Sequence, residues 1–277
     1  MFRKPKIDVA KYVIAPEGWT PDKPNPFGGR GGYEGYSALY FLAEEDGKFS
    51  YARTEAGVFT FTLHKYVLDK DQRVFDFIDY ESKFGRIVIL GSDYGLDIKK
   101  YLKKLRCETR KDKIRKTDPA ILVHSTTTKA WQSIEKDMTL KSPRRLMDEN
   151  ISFQSVGFHA EDEPEEYKDF VKFGGLGAMP EFMFQAQQYG RIVAEENDYY
   201  DPGVRLYLDC HKMIRDQLIW RDGIHEIKVK SILELRDYLI FNYSVENKES
   251  NKKWTPKSFA DECDKWFHRF TQGIYEK

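Results

Sequence analysis

The sequence predicts an α+β protein, and three observations predict it. β-type runs recur along the chain, the clearest being Gly57–Leu63, Ile121–Val123 and Gly203–Asp209. Apolar residues at helical spacing also recur, as Ile98, Tyr101, Leu102 and Leu105, and again as Phe259, Cys263, Trp266, Phe267 and Phe270. A chain of 277 residues with 40% hydrophobic content can build a substantial core as one large domain or two small ones.

The 45 basic and 45 acidic residues cancel, so total charge argues for neither a nucleic-acid nor a membrane partner. No run approaches the length of a membrane span, and the basic start Met1–Lys6 leads into Asp8 and Lys11 where a secretory leader would be apolar. Cys107, Cys210 and Cys263 are scattered and odd in number. They suggest neither a disulfide framework nor a thiolate metal site, and they fit a reducing, cytoplasmic compartment.

Residues 1 to about 37 are rich in proline and glycine, including Gly28-Gly29-Arg30-Gly31-Gly32, and read as irregular chain. The glycine spacing matches neither phosphate-cradling pattern, so a mobile loop is expected there. Ala38–Ala43 and Gly57–Leu63 read as strands, and Val74–Ile78 and Ile87–Leu90 as further short strands, giving a β-rich N-terminal domain. From Asp97 to Lys116 the chain is dense in lysine and arginine, and its first part reads as an amphipathic helix with a basic outer face. That face reads either as a phosphate-backbone contact or as a solvated linker; Tyr101, on the apolar stripe, is the one aromatic residue in the stretch. The boundary falls near Asp112 to Pro119, giving domains 1–113 and 114–277.

Ile121-Leu122-Val123 followed by His124 reads as a short buried strand. The hydroxyl run Ser125-Thr126-Thr127-Thr128 can cap a helix with Trp131, Ile134 and Met138 on its inner face. Histidine is thereby expected where strand hands over to helix, either satisfying local backbone groups or holding a ligand amide or hydroxyl. Leu140–Leu146 reads as turn and loop, with Arg144 and Arg145 in it. Pro180 opens a helix, and Ser258–Ile274 is expected to be a C-terminal helix entered through Pro256.

His124-Ser125-Thr126-Thr127 with Trp131, Ile134 and Leu140 resembles the first motif of the NAD-using transferase superfamily that contains the poly(ADP-ribose) polymerases and the RNA 2'-phosphotransferases. Val156-Gly157-Phe158-His159 resembles its second motif, with Phe158 where a tyrosine is usual. Glu226 in Ile224–Val229, followed by Tyr238-Leu239-Ile240, resembles its third. The resemblance implies a split β-sheet ADP-ribosyltransferase-like C-terminal domain; Tyr40-Phe41 and a faint likeness between Gly57–Lys65 and Gly203–Lys212 would make the N-terminal half a degenerate copy. It implies catalytic Glu226 and His124, with His124, Ser125, Thr126, Phe158 and Arg144 binding NAD, which is a substrate, and no metal. The implied activity is transfer of ADP-ribose to a macromolecular acceptor, protein or nucleic acid. NAD hydrolysis and RNA 2'-phosphate transfer are alternatives, the latter relying on Arg144, Arg145 and Arg205. A third is a non-catalytic NAD- or ADP-ribose-binding module, since phenylalanine at 158 stacks but donates no hydroxyl.

Overall fold

A computed structural model describes residues 7–43, 50–151, 164–189, 200–224, 227–245 and 253–275. The chain is mixed α and β, with strands in several sheets and seven α-helices among the described residues. It divides into two compact units, one of residues 1–110, 161–165 and 220–227, the other of the remainder.

Unit 1 is built on β1 (Tyr12–Ile14), β2 (Tyr36–Leu42), β3 (Tyr51–Glu55), β4 (Val58–His64) and β5 (Ile87–Ser92), with helices α1 (Lys70–Lys83) and α2 (Ile98–Lys104). The strands form one sheet in the order β1-β5-β2-β4-β3. The first four are parallel and β3 is an antiparallel edge. β3 and β4 join through Ala56 and Gly57, both at positive φ (47° and 88°), the pairing that a two-residue hairpin turn of matching twist requires. Parallel β4 and β5 need a crossover, and α1 supplies it.

That crossover corrects the expected strand at Val74–Ile78, which lies inside α1. Val74, Phe77, Ile78 and Glu81 fall at helical spacing and are buried, and the Phe77 ring packs against Phe61 at 5.4 Å. So short an apolar run satisfies both periodicities, and the crossover decides between them. The basic helix is also shorter than expected, because α2 ends at Lys104. Beyond it Leu105 and Cys107 turn inward with Arg106 outward, the alternation of extended chain. Asp71 and Gln72 of α1 hold that chain at its backbone: Asp71 Oδ2 accepts the Arg106 N–H at 3.3 Å, and Gln72 accepts the Glu108 N–H at 2.9 Å through Oε1 and donates through Nε2 to the Glu108 carbonyl at 3.2 Å.

Unit 2 contains β6 (Ile121–Thr126), α3 (Thr128–Asp137), β7 (Thr139–Lys141), α4 (Pro143–Asp148), β8 (Phe170–Lys172), α5 (Met179–Tyr189), β9 (Val204–Asp209) and α6 (Cys210–Arg215). After β10 (Ile219–Trp220) follow β11 (Lys228–Lys230), β12 (Ile232–Glu234), β13 (Leu239–Ser244) and α7 (Pro256–Phe270). β13, β9 and β6 form an antiparallel sheet in that order, while β8 pairs β11 and β7 pairs β12, both antiparallel. β6 is held on its other side too, where Val123 and Gly174 exchange both backbone hydrogen bonds at 2.8 and 3.0 Å. α7 starts at a capping box made by Thr255 and Ser258 with Pro256 in its first turn, and buries Phe259, Cys263 and Phe267 against the sheet. Tyr207 and Phe267 stack with centroids 4.4 Å apart.

Two further expectations are corrected here. Leu140–Leu146 is not a loop, since β7 covers 139–141 and α4 starts at Pro143. Ser142 caps α4 by accepting the Arg145 N–H at 3.3 Å, so Ser-Pro acts as cap and first helical residue. Strand pairing does not repeat between the halves: β4 lies between a parallel and an antiparallel neighbour, whereas both neighbours of β9 are antiparallel. A degenerate copy would keep the pairing of its strands, and these do not.

Candidate functional site

His124 sits within β6, two residues before its end, and not at the strand-to-helix junction expected for it. The strand continues because Ser125 and Thr126 pair with Arg205 and Val204 of β9. Helix α3 is capped by Thr127, whose hydroxyl accepts the Ala130 N–H at 3.0 Å, and Trp131 is its buried residue.

The half-buried His124 ring has Nδ1 3.4 Å from the Lys172 carbonyl of β8 and meets Phe173 edge-on at 6.0 Å. Burial depresses its pKa below the usual histidine range, with the Lys172 carbonyl acting the other way. It is therefore neutral at pH 7. With the proton on Nδ1, where a carbonyl can accept it, Nε2 becomes an acceptor for a ligand hydroxyl or amide. Lys172 in turn lies opposite Lys228, the first residue of β11.

Glu226 and Phe158 themselves lie outside the described residues, as do His159, Glu161-Asp162-Glu163 and Glu195–Tyr199. Thr126 is buried at the end of β6. Arg144 lies on α4, its Nε donating to Asp169 Oδ1 at 3.1 Å, and Arg145 pairs with Glu149 at 2.7 Å. The structure thus brings His124, Ser125 and Thr126 together on one strand. Arg144 is on another element, engaged by a carboxylate.

Sequence reasoning missed a buried polar network beside this strand. Arg205 of β9 donates to Glu181 Oε1 of α5 at 2.8 Å, to Asp264 Oδ1 of α7 at 3.1 Å, to the Gly177 carbonyl at 2.8 Å and to the Tyr207 hydroxyl at 3.0 Å. The Tyr207 hydroxyl donates onward to Asp264 Oδ1 at 2.7 Å, and the Gly177 N–H to Asp264 Oδ2 at 3.0 Å. Glu181 also accepts from the hydroxyls of Ser125 and Tyr200. The Arg205 and Glu181 side chains are 0% exposed. Burial works against the Arg205 charge, but Tyr207, Glu181 and Asp264 together hold its pKa above the ordinary arginine value, and burial pushes the Tyr200 and Tyr207 hydroxyls upward. Arginine at 205 is thereby committed to the interior and not available to grip a phosphate. Ser125, one of the expected NAD contacts, spends its hydroxyl proton on Glu181.

The signal for this network was present but not local. Arg205 interrupts an otherwise apolar strand, and Asp264 falls on the stripe of α7 shared by Ala260 and Phe267. A charge in such a position has to be paired. Lys228 follows the same rule, its buried ammonium lying 3.8 Å from the Tyr167 ring centroid and 4.6 Å from that of Phe170. Among the described residues no group of three or more histidine, cysteine or carboxylate side chains is placed to hold a metal ion. None of the described helices is long and apolar enough to cross a membrane, and all three cysteines are free and buried.

No protein-family model, curated protein or solved structure matches the chain.

Proposed function

We propose that the chain transfers ADP-ribose from NAD to a macromolecular acceptor, on a split-sheet ADP-ribosyltransferase-like fold. One observation carries the reading. A half-buried, neutral histidine on β6 meets the Lys172 carbonyl of β8 through Nδ1, which leaves Nε2 free to accept.

His124 fits an NAD contact, since its neutral ring can offer Nε2 as acceptor to a ribose hydroxyl or the nicotinamide amide. Ser125 fits less well through its side chain, being bonded to Glu181. NAD, when bound, supplies the ADP-ribosyl group and nicotinamide as leaving group. Glu226 would stabilise the positive charge that develops as the nicotinamide–ribose bond breaks, and orient the accepting hydroxyl or carboxyl. The RNA 2'-phosphate alternative is weakened by its three arginines, which are held by Asp169, Glu149, and Glu181 with Asp264.

The test is release of nicotinamide from NAD by the purified chain, with mixed protein and nucleic-acid acceptors, beside Glu226→Gln and His124→Ala. Release lost in both variants supports the reading. A folded wild-type chain that releases none across the acceptors overturns it.

A further inference from the structure

A second surface, in unit 1, is independent of the NAD reading. β2, β4 and β5 run parallel, so their C-terminal ends share one edge of the sheet, and the turn from β4 into α1 starts from that edge. The turn carries Tyr66, 69% exposed, and Leu68, 83% exposed. It is anchored by the Lys65 N–H to the Leu42 carbonyl at 3.0 Å and the Val67 N–H to the His64 carbonyl at 3.2 Å. The Lys65 ammonium lies 5.3 Å from the Tyr66 ring centroid and 5.7 Å from that of Tyr94. The Lys70 ammonium lies 5.4 Å from the Tyr101 ring, and the Tyr101 hydroxyl donates to Asp71 at 2.8 Å, fixing α2 beside the first turn of α1.

α2 buries Ile98 and Leu102 and presents Lys99, Lys100, Lys103 and Lys104 to solvent. Among the described residues none of these four, nor Lys65 or Lys70, forms an ion pair. The neighbouring carboxylates are engaged by backbone: Asp93 accepts the Ala43 N–H, Asp97 the Lys100 N–H, and Asp71 the Arg106 N–H. These carboxylates keep their charge, but over residues 65–71 and 93–104 six lysines face the four aspartates Asp69, Asp71, Asp93 and Asp97, a positive excess on a chain of zero net charge. The fold also brings the Tyr66, Tyr94 and Tyr101 rings within 6 Å of Lys65 and Lys70.

We propose that this edge of unit 1 binds single-stranded nucleic acid, the lysines taking successive phosphates and Tyr66 stacking on a base. Unpaired cations with an exposed aromatic ring are what a sequence-tolerant single-strand groove needs. An anionic bilayer is a poorer match, because α2 turns its apolar residues into the body and only the single turn carrying Tyr66 and Leu68 exposes apolar side chains, short of an insertable amphipathic face.

The test is fluorescence anisotropy of the full chain with a short labelled single-stranded RNA of mixed sequence, over a range of salt concentrations. Binding should weaken with salt, with a log–log slope of up to about 4 if six lysines each contribute roughly 0.7. Lys100→Glu with Lys103→Glu should weaken binding at least about tenfold and flatten that slope. Tyr66→Ala should weaken it about tenfold with the slope unchanged. All these positions are at the surface, and circular dichroism checks that the variants fold. Lys257→Glu, on α7, should change nothing. The proposal is overturned if the RNA does not bind, if the α2 and Tyr66 variants bind like wild type, if a duplex competes as well as the single strand, or if phosphatidylserine vesicles compete better than either.

Discussion

Replacing Arg205 by methionine removes four hydrogen bonds and leaves Glu181 fully buried, with only the Ser125 and Tyr200 hydroxyls to compensate its charge. Orphaning one member of a buried pair costs about 3–5 kcal/mol, and the protein should lose that much stability in unit 2. In urea, with a slope of roughly 2 kcal/mol per molar, the unfolding midpoint should fall by about 1.5–2.5 M. Trp131, Trp254 and Trp266 lie in unit 2 and report on it by fluorescence, while Trp19 lies in unit 1. The sharper part of the prediction is the double variant. Adding Glu181→Leu removes the stranded carboxylate, so Arg205→Met with Glu181→Leu should be more stable than Arg205→Met alone, a coupling on the order of 1–3 kcal/mol. A single variant whose midpoint moves by less than about 0.5 M, or a double variant no better than the sum of its parts, would refute the view that the two charges depend on each other.

Other consequences can be measured in the same way. Since burial lowers the His124 pKa from 6.5, the unfolded chain takes up that proton more readily than the folded one. Stability is then present above pH 6.5 and declines as pH falls below it, and His124→Gln should flatten that part of a pH series of urea midpoints. A Cβ on Gly203 would lie 1.9 Å from the Thr126 carbonyl oxygen, so Gly203→Ala should destabilise unit 2 by about 1–3 kcal/mol or more and raise amide exchange at the end of β6. His64 is buried with Nδ1 unbonded, and His64→Leu should therefore be neutral or stabilising in thermal unfolding; a large loss would mean that the nitrogen has a role in the fold. Thr255→Ala removes the α7 cap and should lower stability by about 1 kcal/mol, with fraying seen first in exchange of the Ser258 amide.

Much of the fold was legible where local rules decide it. β2, β4, β5, β6 and β9 were all readable from apolar runs, and α5 and α7 from the prolines that open them. α1 was misread because Val74–Ile78 satisfies strand and helix alike, and only the crossover needed between β4 and β5, parallel strands on either side of β2, distinguishes them. α2 was overextended because a run of lysines does not reveal that Asp71 and Gln72, some thirty residues earlier, capture the backbone beyond Leu105. Of the candidate site, the grouping of His124, Ser125 and Thr126 followed from their adjacency. The role of Ser125 did not, because Glu181 reaches it from a helix more than fifty residues later. Arg205 looked like a phosphate ligand since arginine in isolation does; its partners Glu181 and Asp264 come from two other elements, and no local window contains them.

The participation of Asp264 has a consequence for biosynthesis. β6, α5 and β9 leave the ribosome well before α7, so Arg205 and Glu181 can meet early while the Gly177 N–H and the Tyr207 hydroxyl still wait for the carboxylate on the last helix. Unit 2 is therefore expected to remain loosely assembled until residue 264 has emerged, and a nascent chain stalled before α7 should be digested readily by protease where the completed one resists.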